Sequence, residues 1–214
     1  MDIIADNSEF KIERLELSSF ATNAYIVICA RSGESALIDA PTGALKIVKQ
    51  LKGTRLKWMP LTHNHIDHIG GLPAIRKRVV APLAVHPADN QPWLPFPPER
   101  LLKDGDILAV GNIRIDAIYT PGHTAGSMSY KIGKYLLAGD TLFPGGPGRT
   151  TDPEAFQKIV RSITKKILPL PDDTEVYPGH GGPTTLKKAR EEYAVFASRP
   201  HDIGLCGDVV WMTS

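Results

Sequence analysis

Three histidines and one aspartate lie within six consecutive positions, at His63, His65, Asp67 and His68. They follow an apolar run at 58–61, which predicts that a strand delivers them. His63 and His65 are two residues apart, so their rings project from the same side of an extended segment. Neutral imidazoles and carboxylates suit zinc and similar divalent metals. The spacing therefore predicts metal binding, and a turn into a helix lets Asp67 and His68 face a second metal position.

Three further ligand-type residues, His123, Asp140 and His180, occupy the same setting later in the chain. Each follows a predicted strand and has Gly or Pro beside it. A single residue of this kind is more often a turn residue than a ligand. However, functional residues in layered α/β folds concentrate on such loops. Taken with the first cluster, these residues predict one site built from four strand ends.

The surrounding sequence predicts alternating strands and helices after an antiparallel start. Alternation of apolar and polar residues predicts a strand at 10–17. The other predicted strands are 23–30, 35–39, 56–62, 79–86, 107–110, 112–120, 127–132, 134–138 and 174–177, and the predicted helices are 44–51, 68–78, 153–168 and 184–196. The proline-rich segment 87–98 predicts a loop, with Trp93 and Phe96 packed beneath it or lining the mouth of the site.

Composition narrows the class of protein. The chain has 214 residues, 42% of them hydrophobic, and we expect a single domain over 1–214. A net charge of +2 without a basic block argues against nucleic acid as a partner. No apolar run approaches the roughly 20 residues of a membrane helix, and no secretory signal is visible. With only two cysteines, the sequence favours a reducing, cytoplasmic setting without disulfides.

Four motifs carry a family resemblance: Thr62-His63-x-His65-x-Asp67-His68, Pro121-Gly122-His123-Thr124, Gly139-Asp140-Thr141 and Pro178-Gly179-His180-Gly181. In the order and spacing of these motifs, the chain resembles the metallo-β-lactamase-fold hydrolases. It looks most like the glyoxalase II (hydroxyacylglutathione hydrolase) type, in a short form without the full C-terminal helical domain. The resemblance covers roughly residues 10–195. It implies an α/β fold, a four-layered αββα sandwich with the site at one edge between the sheets.

The resemblance also implies a role for each motif residue. His63, His65 and His123 would hold one metal, Asp67, His68 and His180 a second, and Asp140 would bridge them. Two divalent ions are expected, zinc first, with iron or manganese as alternatives. A hydroxide bridging the metals would attack the carbonyl of a small acyl substrate, such as a hydroxyacyl-glutathione-like thioester. Asp67 and Asp140 are thus the predicted catalytic residues.

Arg149 closes a Gly/Pro loop and is the candidate contact for a substrate carboxylate. A solvated surface arginine is the alternative interpretation. The residues that follow Gly179-His180 lack the tyrosine of the longer glyoxalase II enzymes, so the sequence does not support glutathione recognition residue by residue. Asp140 stands where typical zinc β-lactamases carry a cysteine, which argues against antibiotic hydrolysis.

Other functions stay open. A persulfide dioxygenase on the same fold would hold one iron with His63, His123 and Asp140. The same hydroxide could also attack a lactone or a phosphodiester, and a metal-holding scaffold without turnover is a non-enzymatic alternative. The sequence leaves open the acyl group, the thiol carrier, the native metal and the oligomeric state. The apolar C-terminal tail, 205–214, either closes a core edge or meets a partner subunit.

Overall fold

A computed structural model describes all 214 residues and contains two large β-sheets. The first sheet has seven strands, ordered as they occur along the chain. They are β1 (Asp2–Asp6), β2 (Phe10–Leu17), β3 (Thr22–Cys29), β4 (Glu34–Ile38), β5 (Arg55–Pro60), β6 (Leu83–Val85) and β7 (Arg100–Leu101). Strand β3 is buried along nearly its whole length, as its continuous apolar run requires.

The second sheet is built from the later part of the chain. Its six strands are β8 (Ile107–Val110), β9 (Ile113–Tyr119), β10 (Met128–Ile132), β11 (Tyr135–Gly139), β14 (Glu175–Pro178) and β15 (Thr184–Thr185). Between β11 and β14 the chain forms a separate two-stranded hairpin, β12 (Leu142–Phe143) and β13 (Gly146–Pro147). The six strands of this sheet are ordered β15-β14-β11-β10-β9-β8.

Five α-helices cover the outer faces of the two sheets. They are α1 (Ala44–Gln50), α2 (Ile66–Ile69), α3 (Leu72–Arg76), α4 (Pro153–Ser162) and α5 (Leu186–Ala197). One buried cluster lies between the sheets, a second between the first sheet and α1–α3, and a third between the second sheet and α4 and α5. This order of layers confirms the predicted four-layered αββα sandwich. No helix has both the length and the apolar character needed to cross a membrane.

Strand direction brings the motif residues to one edge. Strand β4 is parallel to β5, so their carboxyl ends lie together, followed by Asp39 and by the His63 cluster. Strands β9 and β11 both pair antiparallel with β10, and β14 is parallel to β11. The carboxyl ends of β9, β11 and β14 therefore share an edge, and they are followed by His123, Asp140 and His180.

Two hydrogen bonds join the sheets beside this edge. The Met128 amide donates to the Thr62 carbonyl over 2.7 Å, and the Tyr130 hydroxyl donates to the Leu61 carbonyl over 2.6 Å. Tyr130 is fully buried, so its hydroxyl needs such a partner. These contacts fix the loop after β5 against the second sheet, and thus the first histidine cluster against the later motifs.

Several predicted elements were wrong in extent. The predicted helix 68–78 is split into α2 and α3, because Pro73 has no N–H to continue the helical hydrogen bonds. The predicted strand 79–86 shrinks to β6, since Pro82 cannot donate to a sheet ladder. The predicted helix 153–168 is α4 followed by a π-helical turn, Ile163–Ile167. Strands β1, β7, β12, β13 and β15 were not predicted, and the residues of β15 were predicted as the start of helix 184–196.

Candidate metal centre

All seven predicted ligands lie in one site at the shared edge. The candidate ligand atoms of each of two groups are within 4.8 Å of one another: His63, His65 and His123 form the first, and Asp67, His68 and His180 form the second. Asp140 forms a third such group with His63 and His68. Its carboxylate oxygens also lie 3.6 Å from Nε2 of His68, His123 and His180. The Asp140 carboxylate is therefore placed between the two groups.

Unpaired buried atoms indicate that these residues fit a metal. Nε2 of His63 and Oδ1 of Asp140 are buried and have no hydrogen-bond partner in the protein. Leaving a buried polar atom unpaired costs about 1–3 kcal/mol. A divalent cation would satisfy both atoms, because imidazole nitrogen and carboxylate oxygen are ligands that zinc and iron accept.

Backbone carbonyls orient two of the histidine rings from behind. Nδ1–H of His123 donates to the Arg149 carbonyl over 2.8 Å, and Nδ1–H of His180 donates to the Phe20 carbonyl over 3.0 Å. In both rings this leaves Nε2 facing the site. Such outer hydrogen bonds fix the tautomer and the direction of a metal-binding histidine.

Asp39 orients one ligand of each group, and sequence reasoning missed it. Its carboxylate accepts from Nδ1–H of His68 over 2.8 Å. It also accepts from the Thr62 amide and hydroxyl, both over 2.7 Å. The Thr62 hydroxyl in turn accepts from Nδ1–H of His63 over 3.0 Å. Asp39 is buried and non-glycine at a φ of 60°, so surrounding contacts hold it in an uncommon conformation.

The two ligand groups differ in the direction in which the protein shifts the pKa values of their side chains. Burial lowers the pKa of His63 well below its usual value, and the adjacent histidines lower it further. Burial likewise lowers the pKa of His65. His63 and His65 therefore favour the neutral imidazole, the form that binds metals.

In the second group, the ionised carboxylate and the protonated imidazoles are favoured. Burial opposes ionisation of Asp67, but a hydrogen bond from His180 and the charge of His68 hold the pKa of Asp67 well below its usual range. The hydrogen bond to Asp67 raises the pKa of His180. Burial lowers the pKa of His68, but Asp39 and the other carboxylates outweigh it and raise that pKa to about 9. A metal entering this group would displace these protons.

A family model, described as the metallo-beta-lactamase superfamily, matches residues 18–180 of the chain. The chain belongs to the metallo-beta-lactamase superfamily. The matched segment contains all seven candidate ligands. Superfamily members bind divalent metals, in agreement with the groups of ligands found here.

The chain is similar to three proteins of known name or structure. A hydroxyacylglutathione hydrolase from Brucella anthropi is 34% identical over 177 residues, which cover 78% of this chain and 65% of that protein. The crystal structure of ETHE1 from Myxococcus xanthus superposes with a TM-score of 0.77 at 25% identity, covering 88% of this chain and 85% of the other. The structure of TTHA1623 in a di-iron-bound form superposes with a TM-score of 0.69 at 29% identity, covering 83% and 96%.

Asp89 is a second residue that sequence reasoning missed. It lies in the proline-rich segment after β6 and is buried. Its carboxylate accepts from the Thr124 hydroxyl and the Gly126 amide, both over 2.8 Å, and from the Asn64 amide over 3.2 Å. It therefore ties the loop of the first superfamily motif to the loop that carries His123.

We expect Asp89→Ala to lower the free energy of unfolding by about 2–3 kcal/mol, because it leaves buried donors of two loops unpaired. Urea denaturation of the zinc-loaded protein measures this change. The matched control is Asp173→Ala, since Asp173 is exposed and makes no side-chain hydrogen bond. Equal stability of the two variants would show that Asp89 does not hold the loops together.

Arg149 lies at the mouth of the site. Its guanidinium is mostly exposed and lies 3.8 Å from the Asp208 carboxylate, while its carbonyl orients His123. The two remaining histidines lie outside the ligand groups: His86 stacks on Tyr119, and His201 stacks on Phe196. Both cysteines are free.

Proposed function

We propose that the protein is a binuclear metal-dependent hydrolase of small acyl thioesters. One observation carries this proposal: two groups of three ligands meet at the Asp140 carboxylate, with Nε2 of His63 and Oδ1 of Asp140 buried and unpaired. His63, His65 and His123 would hold one ion, and Asp67, His68 and His180 the other, with Asp140 shared. Such a donor set favours zinc, with iron or manganese as alternatives. The similarity to a hydroxyacylglutathione hydrolase supports a thioester as substrate.

A bound divalent ion lowers the pKa of its water ligand towards about 7 and stabilises negative charge on a carbonyl oxygen. The protein's own residues position the metal ligands. Asp39 and the Arg149 and Phe20 carbonyls orient four histidines in total, directly or through Thr62. Asp67 is fixed by the Thr22 hydroxyl, which donates over 3.1 Å, and lies at the site where it could orient the attacking group. Arg149 is the proposed contact for a carboxylate on the substrate, at the rim.

Metal content and turnover test this proposal together. We expect protein prepared without chelator to contain two metal ions per chain and to release thiol from a panel of acyl thioesters. Removing the metals should reduce thiol release below about 1% of its starting rate, and zinc should restore it. A single metal per chain, or undiminished thiol release by the metal-free protein, would overturn the binuclear hydrolase.

We expect Asp67→Ala to lower kcat on the order of 100-fold at saturating metal, with a much smaller change in KM. The reason is that Asp67 contributes to the second group and to orientation but lies apart from the rim that contacts the substrate. Ile66→Ala is the matched control, because Ile66 belongs to the same short helix and is exposed. A wild-type rate for Asp67→Ala at saturating metal would remove Asp67 from the mechanism.

A persulfide dioxygenase is the second candidate, supported by the structural similarity to ETHE1. It would use one iron held by His63, His123 and Asp140, two histidines and a carboxylate that suit non-haem iron. In that case the purified protein would contain one iron per chain and consume oxygen when given glutathione persulfide. The hydrolase proposal expects no oxygen consumption with that compound.

A further inference from the structure

The last ten residues, 205–214, here called the C-terminal segment, are built into the fold. Val209 and Trp211 are buried, whereas Val210 and Met212 are 46% and 48% exposed. The Trp211 ring packs against Tyr193 of α5 with a centroid distance of 5.2 Å. The alternation shows that one side of the segment is anchored in the core between α5 and the second sheet, and that the other side is free to form a surface.

The C-terminal segment is fastened to the loop 143–149, here called the glycine loop. The Trp211 amide donates to the Gly145 carbonyl over 2.8 Å. Thr150 and Gly207 exchange two backbone hydrogen bonds, of 3.2 and 3.0 Å. A Cβ added to Gly146 would lie 2.7 Å from the Val209 carbonyl oxygen, so the two backbones are in close contact. The segment and the loop thus form one layer beside the metal centre.

Between them lies a cleft of about 330 Å³ that reaches the candidate metal ligands. Its inner end is formed by His123 and Asp140, and its sides by the glycine loop, Asp208 and Val210. Two of the seven candidate ligands line this end of the cleft, so an acyl carbon held at the metal centre would lie beside it. The rest of the cleft is then available to the acyl chain, to the carrier, or to both.

The chemistry of the walls favours the acyl chain. Phe143, Pro144, Pro147 and Val210 line the cleft with apolar surface. The two charged rim residues, Arg149 and Asp208, are 74% and 82% exposed and face each other, with 3.8 Å between Nε and Oδ2. They lie where a polar carrier would leave towards solvent, so the apolar part of the cleft is left for the acyl chain.

We propose that the C-terminal segment forms the outer wall of an acyl-binding cleft and that Val210 sets the length of the acyl chain that fits. The proposal rests on the proposed thioester hydrolase and names its substrate class: thioesters with a short, apolar acyl chain. Val210 is suited to this role because its neighbours Val209 and Trp211 fix the backbone while its own side chain is exposed to the cleft. A Cβ on Gly145, across the cleft wall, would lie only 3.9 Å from Cγ1 of Val210.

The test compares Val210→Ala, Val210→Trp and Met212→Ala on acetyl, butyryl, hexanoyl and octanoyl thioesters of one thiol. Met212→Ala is the matched control, because Met212 has nearly the same exposure but does not line the cleft. We expect Val210→Ala to move the maximum of kcat/KM to a longer acyl chain. Each methylene that gains or loses contact should change kcat/KM by about fourfold. Val210→Trp should lower kcat/KM for the longest chain at least tenfold more than for acetyl. Unchanged chain-length profiles, or the same shift in Met212→Ala, would overturn the proposal.

A binding measurement separates this proposal from the proposed function. Calorimetry of the zinc-loaded proteins with butanoate, hexanoate and octanoate, the carboxylate products, requires no turnover. We expect Val210→Trp to weaken octanoate binding at least tenfold and butanoate binding much less. If the wild-type protein hydrolyses no thioester, the proposed function fails, and this profile still decides the role of Val210. Identical carboxylate affinities in all four proteins would overturn the acyl-binding cleft.

Discussion

Replacing Asp39 with asparagine is expected to weaken metal binding by roughly 10- to 100-fold while leaving the fold intact. The substitution keeps the size and the oxygen that accepts from the Thr62 amide, but it removes the negative charge. That charge holds Nδ1–H of His68 directly, over 2.8 Å, and reaches His63 through the Thr62 hydroxyl. One change therefore affects a ligand of each group.

Asp39→Asn tests the charge of the carboxylate more specifically than Asp39→Ala does. Asp39 has a φ of 60°, and asparagine tolerates this left-handed conformation more readily than alanine. Asp39→Ala would thus add backbone strain and unpaired buried donors to the loss of charge. For Asp39→Asn we expect a decrease of only about 1–3 kcal/mol in the free energy of unfolding of the metal-free protein.

Competition with a chromophoric chelator measures zinc affinity, and urea denaturation of the metal-free protein measures stability. The control is Asp6→Asn, because Asp6 is exposed and makes no side-chain hydrogen bond. Wild-type zinc affinity in Asp39→Asn would show that the carboxylate does not orient the ligands. Loss of affinity in both variants would point to a general charge effect instead.

The ligand residues could be predicted from sequence because their signals are local. Each of the four motifs joins an apolar strand to Gly or Pro, so the strand end and the functional loop are visible together. His63 and His65 are also two residues apart, which places both rings on the same side of an extended segment. The alternation of strands and helices was also visible in the sequence, but the shared direction of β9 and β11 comes from their antiparallel pairing with β10.

Asp39 and Asp89 could not be predicted because their function depends on distant partners. In sequence, Asp39 is an aspartate at the end of a strand before Pro41, which is typical of a turn. Its partner His68 is 29 positions away, and the partner of Asp89 on the His123 loop, Thr124, is 35 positions away. Only the pairing of the strands shows that these carboxylates lie behind the ligands.

The C-terminal segment was undetermined for a similar reason. Its apolar residues suggested a core edge or a partner surface, and the structure shows that Trp211 occupies the core beside α5. The alternation of Val209, Val210 and Trp211 was present in the sequence. However, nothing local indicated that the exposed side of the segment would face the glycine loop.

Gly179→Ala is expected to lower activity by more than about 100-fold, because it displaces the shared ligand. A Cβ at this position would lie 2.1 Å from Oδ1 of Asp140 and 2.7 Å from Cε1 of His68. The backbone cannot move away easily. The Gly179 amide donates to the Gly139 carbonyl over 2.9 Å, and its carbonyl accepts from the Asn23 amide over 2.7 Å.

Gly182→Ala is the matched control, on the same loop, because an added Cβ meets no atom within 4 Å. We expect Gly182→Ala to retain wild-type metal content and rates. Gly179→Ala should lose bound metal, measured by elemental analysis, together with thiol release, since Asp140 can no longer lie between the two ligand groups. If Gly179→Ala kept both metals and full activity, Asp140 would not be the shared ligand. If it kept both metals but lost activity, the position of the Asp140 carboxylate, rather than metal retention, would limit the reaction.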